Sequence, residues 1–265
     1  MLIDTHCHLD KLELDQSPHR LNELLSRAET AGVKQILTIS VDLDNFEQIY
    51  SLTEHAGIWA SCGVHPLHEA GLLTTPERLA LLAQAPKVVA LGETGLDYFY
   101  DKEPANHQRQ QQSFAIHLEV AGQQGLPTIV HTRDAKEDTL ALIKQHGNRD
   151  IGGVLHCFTE DYDMAKRALD ENYLISISGI VTFRNADDLR ATVKKLPLES
   201  LLVETDSPYL APVPHRGKKN EPSFVRDVAQ FVADIKGVRY EALLEQTAAN
   251  FFSKFSKADP SSLLN

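Results

Sequence analysis

Eight times along this chain a short apolar, β-branched run is followed by a stretch of helical spacing, about every 30 residues. The strand-like runs cover residues 2–5, 33–41, 58–64, 87–92, 128–131, 152–157, 173–178 and 201–206. Helical periodicity follows over 20–32, 44–55, 76–85, 104–124, 134–147, 161–172 and 185–196, with Asp42 or Asp44 as a cap for the second. Two more helices, over 223–235 and 240–255, come last, and the final ten residues are expected to fray. The strand runs are apolar throughout rather than alternating, as strands covered on both faces are. Eight strand–helix units in ~250 residues predict an α/β chain forming a single (β/α)8 TIM barrel with C-terminal helices. A doubly wound open sheet is the alternative. No internal repeat or linker divides the 265 residues, so one domain over 1–265 is expected.

In such a barrel the chemistry sits at the C-terminal ends of the strands. Metal-ligating residue types fall there repeatedly. His6 and His8 follow the first run, Glu93 the fourth, His131 the fifth, His156 the sixth, and Glu204 and Asp206 the eighth. His6 and His8 are two apart, so a strand would aim both imidazoles at one face and turn Cys7 to the other. A lone His-x-His says little. Four histidines and several carboxylates arriving at one barrel mouth predict a metal centre. Imidazole combined with carboxylate suits borderline divalent ions such as zinc, manganese, iron or cobalt. Six ligands exceed what one four-coordinate ion needs and match two ions, with Glu93 as the bridge. His6, His8 and Asp206 would hold one ion, and His131 and His156 the other. Water activated there becomes a nucleophile near neutral pH, and Asp206 can accept its proton.

These motifs resemble the TatD-type metal-dependent deoxyribonucleases, a branch of the amidohydrolase superfamily. The matching stretches are Asp4-Thr5-His6-Cys7-His8-Leu9-Asp10, Gly63-Val64-His65-Pro66, Gly92-Glu93-Thr94-Gly95-Leu96-Asp97-Tyr98, His131-Thr132-Arg133-Asp134-Ala135, His156-Cys157-Phe158, Glu204-Thr205-Asp206-Ser207-Pro208, the segment Pro214 to Pro222, and Asn250-Phe251-Phe252. They span nearly the whole chain in order, and within the family they are most similar to the YcfH-type hydrolases. The resemblance implies a barrel with two divalent cations and phosphodiester hydrolysis on DNA, of the 3'-5' exonuclease type on single strands. By that analogy His6, His8, Glu93 and Asp206 ligate one ion, and Glu93, His131 and His156 the other. It also implies magnesium in assays. Four histidines sit awkwardly with an ion that prefers oxygen, so zinc or manganese is expected to bind more tightly. A third ion near Glu204 is a further expectation.

Other residues of the expected mouth could touch substrate. His65 could donate to a phosphate oxygen, or merely occupy the turn before Pro66. Arg133 could grip a phosphate, or pair with Asp134 or Glu137. Tyr98 could stack on a base, or pack in the core. Asp4 and Asp10 are candidates for orienting imidazoles. The loop Arg216-Gly217-Lys218-Lys219 is the most basic stretch in a chain of formal charge -11. That charge excludes a uniformly basic surface that coats nucleic acid and suits a strand end or short oligonucleotide. Cys7, Cys62 and Cys157 lack metal-knuckle spacing and read as core residues in a reducing compartment. Asp4 and two histidines stand where a signal peptide would need an apolar run, and no run approaches the ~20 residues of a membrane span, so a cytoplasmic protein is expected.

Two other functions compete. A small-molecule amide, ester or lactone hydrolase of the same superfamily would usually bridge its metals with a carboxylated lysine after strand four. Here that place is Glu93, and Lys87 lies at the strand's start. A metal-dependent binding protein without turnover would have a closed ligand shell rather than an open mouth.

Overall fold

The computed structural model describes residues 1–12, 18–68 and 75–264. Residues 13–17, between the first strand and the first helix, are among those outside it. Eight parallel strands run in the order β1 to β8: β1 (Leu2–Cys7), β2 (Val33–Thr38), β3 (Ile58–Cys62), β4 (Val88–Asp97), β5 (Thr128–Arg133), β6 (Gly153–Leu155), β7 (Tyr173–Ile177) and β8 (Leu201–Val203). Helices α1 (Pro18–Thr30), α2 (Phe46–Ser51), α3 (Pro76–Ala83), α4 (Pro104–Gln124), α5 (Lys136–His146), α6 (Tyr162–Asp170) and α7 (Asp187–Lys195) separate successive strands. Helices α8 (Val225–Lys236) and α9 (Tyr240–Lys254) follow β8. This is the (β/α)8 barrel that the eightfold alternation predicts. Helix α2 is shorter than its periodicity suggests, because the Asp42 carboxylate takes the backbone N–H groups of Asp44 (2.9 Å) and Asn45 (2.7 Å) and holds them in a turn.

The barrel closes beyond the last residue of β8. The Asp206 N–H donates to the His6 carbonyl (2.9 Å) and the His8 N–H to the Ser207 carbonyl (2.8 Å). The seam that shuts the sheet is therefore built from the segments that carry three candidate ligands.

Two bulges re-aim side chains at this end. Between Asp4 and Cys7, β1 spends three residues against two of β2, and between Leu91 and Thr94, β4 spends three against two of β5. An extra residue breaks strict alternation and swings the following side chain to the other face. Thr5 and His6 consequently both reach inward, Thr5 to Ser176 of β7 (3.2 Å) and His6 to Glu93 of β4 (3.4 Å). Strands β4 and β5 also approach unusually closely. Gly95 has φ 132°, and a Cβ there would lie 2.0 Å from the His131 carbonyl oxygen, so only glycine fits.

The opposite end is plugged by apolar packing. Ile3, Leu37, Trp59, Val89, Ile129, Val154 and Leu202 cluster with Phe251 of α9 and with Phe255 just after it. Full burial of each such side chain contributes roughly 1.5–3 kcal/mol, which makes α9 a structural floor beneath the reactive end. The final residues do not fray. Gln35 donates to the carbonyls of Asp259 (2.8 Å) and Ser262 (2.7 Å), the Leu264 N–H donates to the Lys34 carbonyl (2.9 Å), and Ala258 and Leu264 are buried. Hydrogen bonds to strand-two backbone and side chain, invisible to periodicity, hold this tail under the barrel; Asn265 lies outside the described residues.

Candidate metal centre

The inward-turned end of the barrel gathers six groups around one carboxylate. The Glu93 Oε2 faces His6 Nε2 (3.4 Å) and His8 Nε2 (3.7 Å), and Asp206 Oδ1 faces the same two nitrogens at 3.7 and 3.4 Å. The Glu93 Oε1 faces His156 Nε2 (2.8 Å), His131 Nδ1 (3.3 Å) and His65 Nε2 (3.3 Å). Each oxygen of one carboxylate thus looks into its own set of donors. Glu93 can do this because the bulge in β4 lifts it out of the ladder, its N–H bonding the Ser40 carbonyl instead (2.9 Å).

The donors fit a metal better than they fit one another. His6 Nδ1 and Nε2, His8 Nδ1, His156 Nε2 and Glu93 Oε2 are buried without a hydrogen-bond partner. His156 Nε2 approaches Glu93 closely yet is not aligned to bond it. Orphaned buried polar atoms are costly, and several converging on one point mark a place for a cation. Three overlapping groups have ligand atoms within 4.8 Å of one another: His6, His156 and Asp206; His6, His8 and Glu93; His65, Glu93 and His131.

Electrostatics agree with the geometry. Burial works to raise the Glu93 carboxyl, but His156, His65 and His131 outweigh it and hold it well below the usual carboxylate range. Asp206 is likewise held low against burial by His8, His6 and His156. Burial depresses His6 and His65. His156 and His131 are raised despite burial, His156 by Glu93 and Glu204, and His131 by Asp97 and Glu93.

A family model described as TatD related DNase matches residues 3–256 of this sequence. The chain belongs to the TatD family. The uncharacterised metal-dependent hydrolase YcfH of Escherichia coli K12 is 48% identical over 255 residues, covering 96% of this chain and 95% of that protein. A Klebsiella pneumoniae protein named 3'-5' ssDNA/RNA exonuclease TatD is 34% identical, covering 88% and 91%. The crystal structure of YJJV, a TatD homologue from Escherichia coli K12, superposes with a TM-score of 0.88 at 30% identity over 96% of this chain and 98% of that one. The protein is a metal-dependent hydrolase.

In this TatD-family chain the orienting residues differ from those expected. Asp97 Oδ2 lies 3.0 Å from His131 Nε2 and so turns His131 Nδ1 toward Glu93. Glu204 Oε1 accepts the Cys157 N–H (2.7 Å) and lies 3.3 Å from His156 Nδ1, while its other oxygen accepts from Ser176. Such outer partners fix tautomer and ring direction. With both oxygens engaged and no exposed surface, Glu204 is placed to orient His156. Asp4 does not touch an imidazole. It accepts from the Thr205 N–H (2.8 Å) and hydroxyl (2.6 Å) and so anchors the turn that carries Asp206. Among the described residues Asp10 bonds no imidazole either, and its Oδ1 has no partner.

A cavity of about 830 Å³ opens over the centre, lined by His8, Lys11, His65, Glu93, Tyr100, His131, Arg133, His156, Asp206 and Tyr209 among others. Arg133 therefore reaches the mouth. It lies 4.0 Å over the Phe99 ring and 4.7 Å over Tyr100, with no carboxylate at ion-pair distance among the described residues, so neither expected partner holds it. Tyr98 does not reach the mouth. Its hydroxyl donates to Asp138 (2.8 Å) and its ring stacks on His107 (3.8 Å). The basic loop also stays away: none of its residues lines the cavity, and Arg216 packs over Phe183 and donates to the Ala211 carbonyl.

His65 carries a readable tautomer. The Leu67 N–H donates to its Nδ1 (3.1 Å), so the neutral ring keeps its proton on Nε2, facing Glu93. That makes His65 a donor at the mouth rather than a ligand. Its loop is held in turn by His117 of α4, whose Nε2 accepts the Val64 N–H (3.0 Å). Asp97, Glu204 in its orienting role, His117 and Tyr100 were not legible beforehand. Asp97 and Glu204 had a signal, their places in the Gly92-to-Tyr98 and Glu204-to-Pro208 motifs, but only the folded contacts show that they face His131 and His156.

Proposed function

We propose that this chain hydrolyses phosphodiester bonds at the end of single-stranded DNA, in the 3'-5' direction, with two divalent cations at the mouth. The observation that carries the reading is the two-sided Glu93 carboxylate, each oxygen turned to a separate imidazole set. His6, His8, Glu93 and Asp206 would hold one cation, and Glu93, His131 and His156 the other. When bound, such cations would neutralise charge on the phosphoryl oxygens and lower the pKa of a water at the mouth. Asp206 accepts the proton of the attacking water; its side chain is 13% exposed against 3% for Glu93, so it is the more open of the two. The His65 Nε2–H donates to a phosphoryl oxygen as charge builds there. Arg133 and Lys11 are the cations that draw a phosphate into the mouth. The name of the Klebsiella relative supports a nucleic-acid end as substrate.

The smaller-substrate reading has less support. Lys87, the lysine nearest the bridging position in sequence, lies over Trp59 (4.2 Å) at the start of β4, the far end of the strand. No helix among the described residues is long and apolar enough to cross a membrane. Three unpaired cysteines suit a reducing cytoplasm.

Digestion of end-labelled single-stranded DNA by chelator-stripped protein tests the reading, with zinc, manganese and magnesium restored separately. Stepwise shortening from the 3' end in at least one metal is expected. Intact DNA in every metal would overturn it. Metal loading is also expected to release protons at neutral pH, because the carboxylates around His156 and His131 hold both rings above their ordinary values. Calorimetry in buffers of different ionisation enthalpy reads that release; an enthalpy independent of buffer would contradict it. An Asp97→Asn chain is expected to lose about ten- to a hundredfold in metal affinity, since His131 loses its orienting acceptor. A competition titration against a fluorescent chelator checks this, and unchanged affinity would remove Asp97 from that role.

A further inference from the structure

We propose that Phe99, Tyr100 and Arg133 form a ledge that stacks a nucleobase of the strand being cut, with Tyr209 flanking the mouth from the other side. The inference rests on the nucleic-acid reading above and names how that substrate is held.

Among the described residues four aromatic side chains are exposed, and three of them, Phe99 (43%), Tyr100 (65%) and Tyr209 (51%), stand at or beside the mouth. Leaving such rings in water forgoes burial that the rest of the core exploits. The turn that presents the first two is not loose. Asp97 Oδ1 accepts the N–H groups of both Phe99 (3.0 Å) and Tyr100 (2.8 Å). The Asp97 backbone is itself clamped by Gln110 of α4, at 2.8 and 3.2 Å. The exposure is thus built in by a buried carboxylate.

The same carboxylate ties the ledge to the metal centre. Its other oxygen lies 3.0 Å from His131 Nε2. One side chain therefore sets the distance between the aromatic turn and a candidate ligand.

Arg133 completes the surface. Its guanidinium covers both rings, which themselves meet edge to face at 5.0 Å. A stacked guanidinium is a flat, weakly hydrated face that accepts a base, and its edge donors stay available for a phosphate. Tyr209 lines the opposite side, its ring centroid 6.1 Å from that of His8. A face for the base, a cation beside it and a phosphate-cleaving centre within one carboxylate's reach match a nucleotide, whose base and phosphate are likewise joined by a short linker. A phosphodiester without a base would leave the ledge empty.

The test uses the metal-loaded protein and end-labelled single strands that carry normal or abasic nucleotides at the two 3'-terminal positions. Base stacking on an aromatic ledge predicts a KM about ten- to a hundredfold higher for the abasic strand, with kcat much less affected. In Phe99→Leu/Tyr100→Leu protein the KM for the normal strand should rise by a similar factor, and removing the base should then cost little more. Tyr100→Phe should restore the wild-type pattern. Equal KM for normal and abasic strands in the wild type, or a full abasic penalty that persists in the double variant, overturns the ledge while leaving the nuclease reading intact. No cleavage of either strand in any metal overturns both.

Discussion

A Glu93→Gln chain is expected to fold normally and to lose about 10³-fold in kcat, roughly 4 kcal/mol of transition-state stabilisation. The substitution keeps volume and shape, so the barrel has no steric reason to change. It removes the negative charge on which His6, His8, His65, His131 and His156 converge and replaces one oxygen by an amide that donates where a cation should sit. Neither half of the donor set is then complete. Metal content measured by atomic emission should fall together with activity, while the far-ultraviolet dichroism stays as in the wild type. A variant that keeps its metal and its turnover would show that Glu93 is not the bridge.

The second large effect falls on stability. Replacing Asp4 by alanine is expected to cost about 3 kcal/mol, because it strands the Thr205 N–H and hydroxyl in a site with no solvent exposure. The loss should appear as a lower urea midpoint, and a change within about 0.5 kcal/mol, the range of an ordinary surface substitution, would contradict it. Activity should fall as well, since Thr205 precedes Asp206 in the turn that closes the barrel. Asp4 also carries a pH signature. Burial pushes its carboxyl from 3.8 up to about 8, with Glu204 adding to the rise and the Thr205 bonds opposing it. A raised folded value means that the native state holds a proton the unfolded chain releases. The stability difference between wild type and Asp4→Asn should therefore be fullest below 3.8 and vanish as the pH rises through about 8. Unfolding curves for both chains across that range read it; a difference that grows with pH would reverse the assignment.

Much of the site is legible in the sequence because it obeys a positional rule. Side chains at the strand ends of a barrel must converge, so the candidate ligands His6, His8, Glu93, His131, His156 and Asp206 are recognisable from their places after apolar runs. Their partners obey no such rule. Tyr98 and Tyr100 stand two apart on one aromatic stretch, and nothing in the spacing says that the first turns to Asp138 and His107 while the second faces the mouth. The choice is made by Asp97, which bonds the backbone of the turn and fixes which ring points where. Arg133 illustrates the same limit. Its neighbours in sequence, Asp134 and Glu137, are acids, yet Glu137 pairs with Arg167 of α6 (2.8 Å) and Arg133 is left to the aromatic rings.

The sequence by itself determined the barrel, because eight apolar strand runs covered on both faces have few ways to be buried, and it determined the candidate ligand types, because imidazoles and carboxylates recur at the strand ends. Tertiary structure alone decided how they are deployed. The extra residue in β1 and in β4 is a matter of register between strands, and register exists only once two strands pair. Those bulges turn His6 and Glu93 inward, the closing seam brings Asp206 against His6 and His8, and the tail that periodicity leaves loose is held by the Lys34 carbonyl and the Gln35 side chain of β2. Local pattern sets which residues are available at the mouth; pairing geometry across the sheet sets which of them meet.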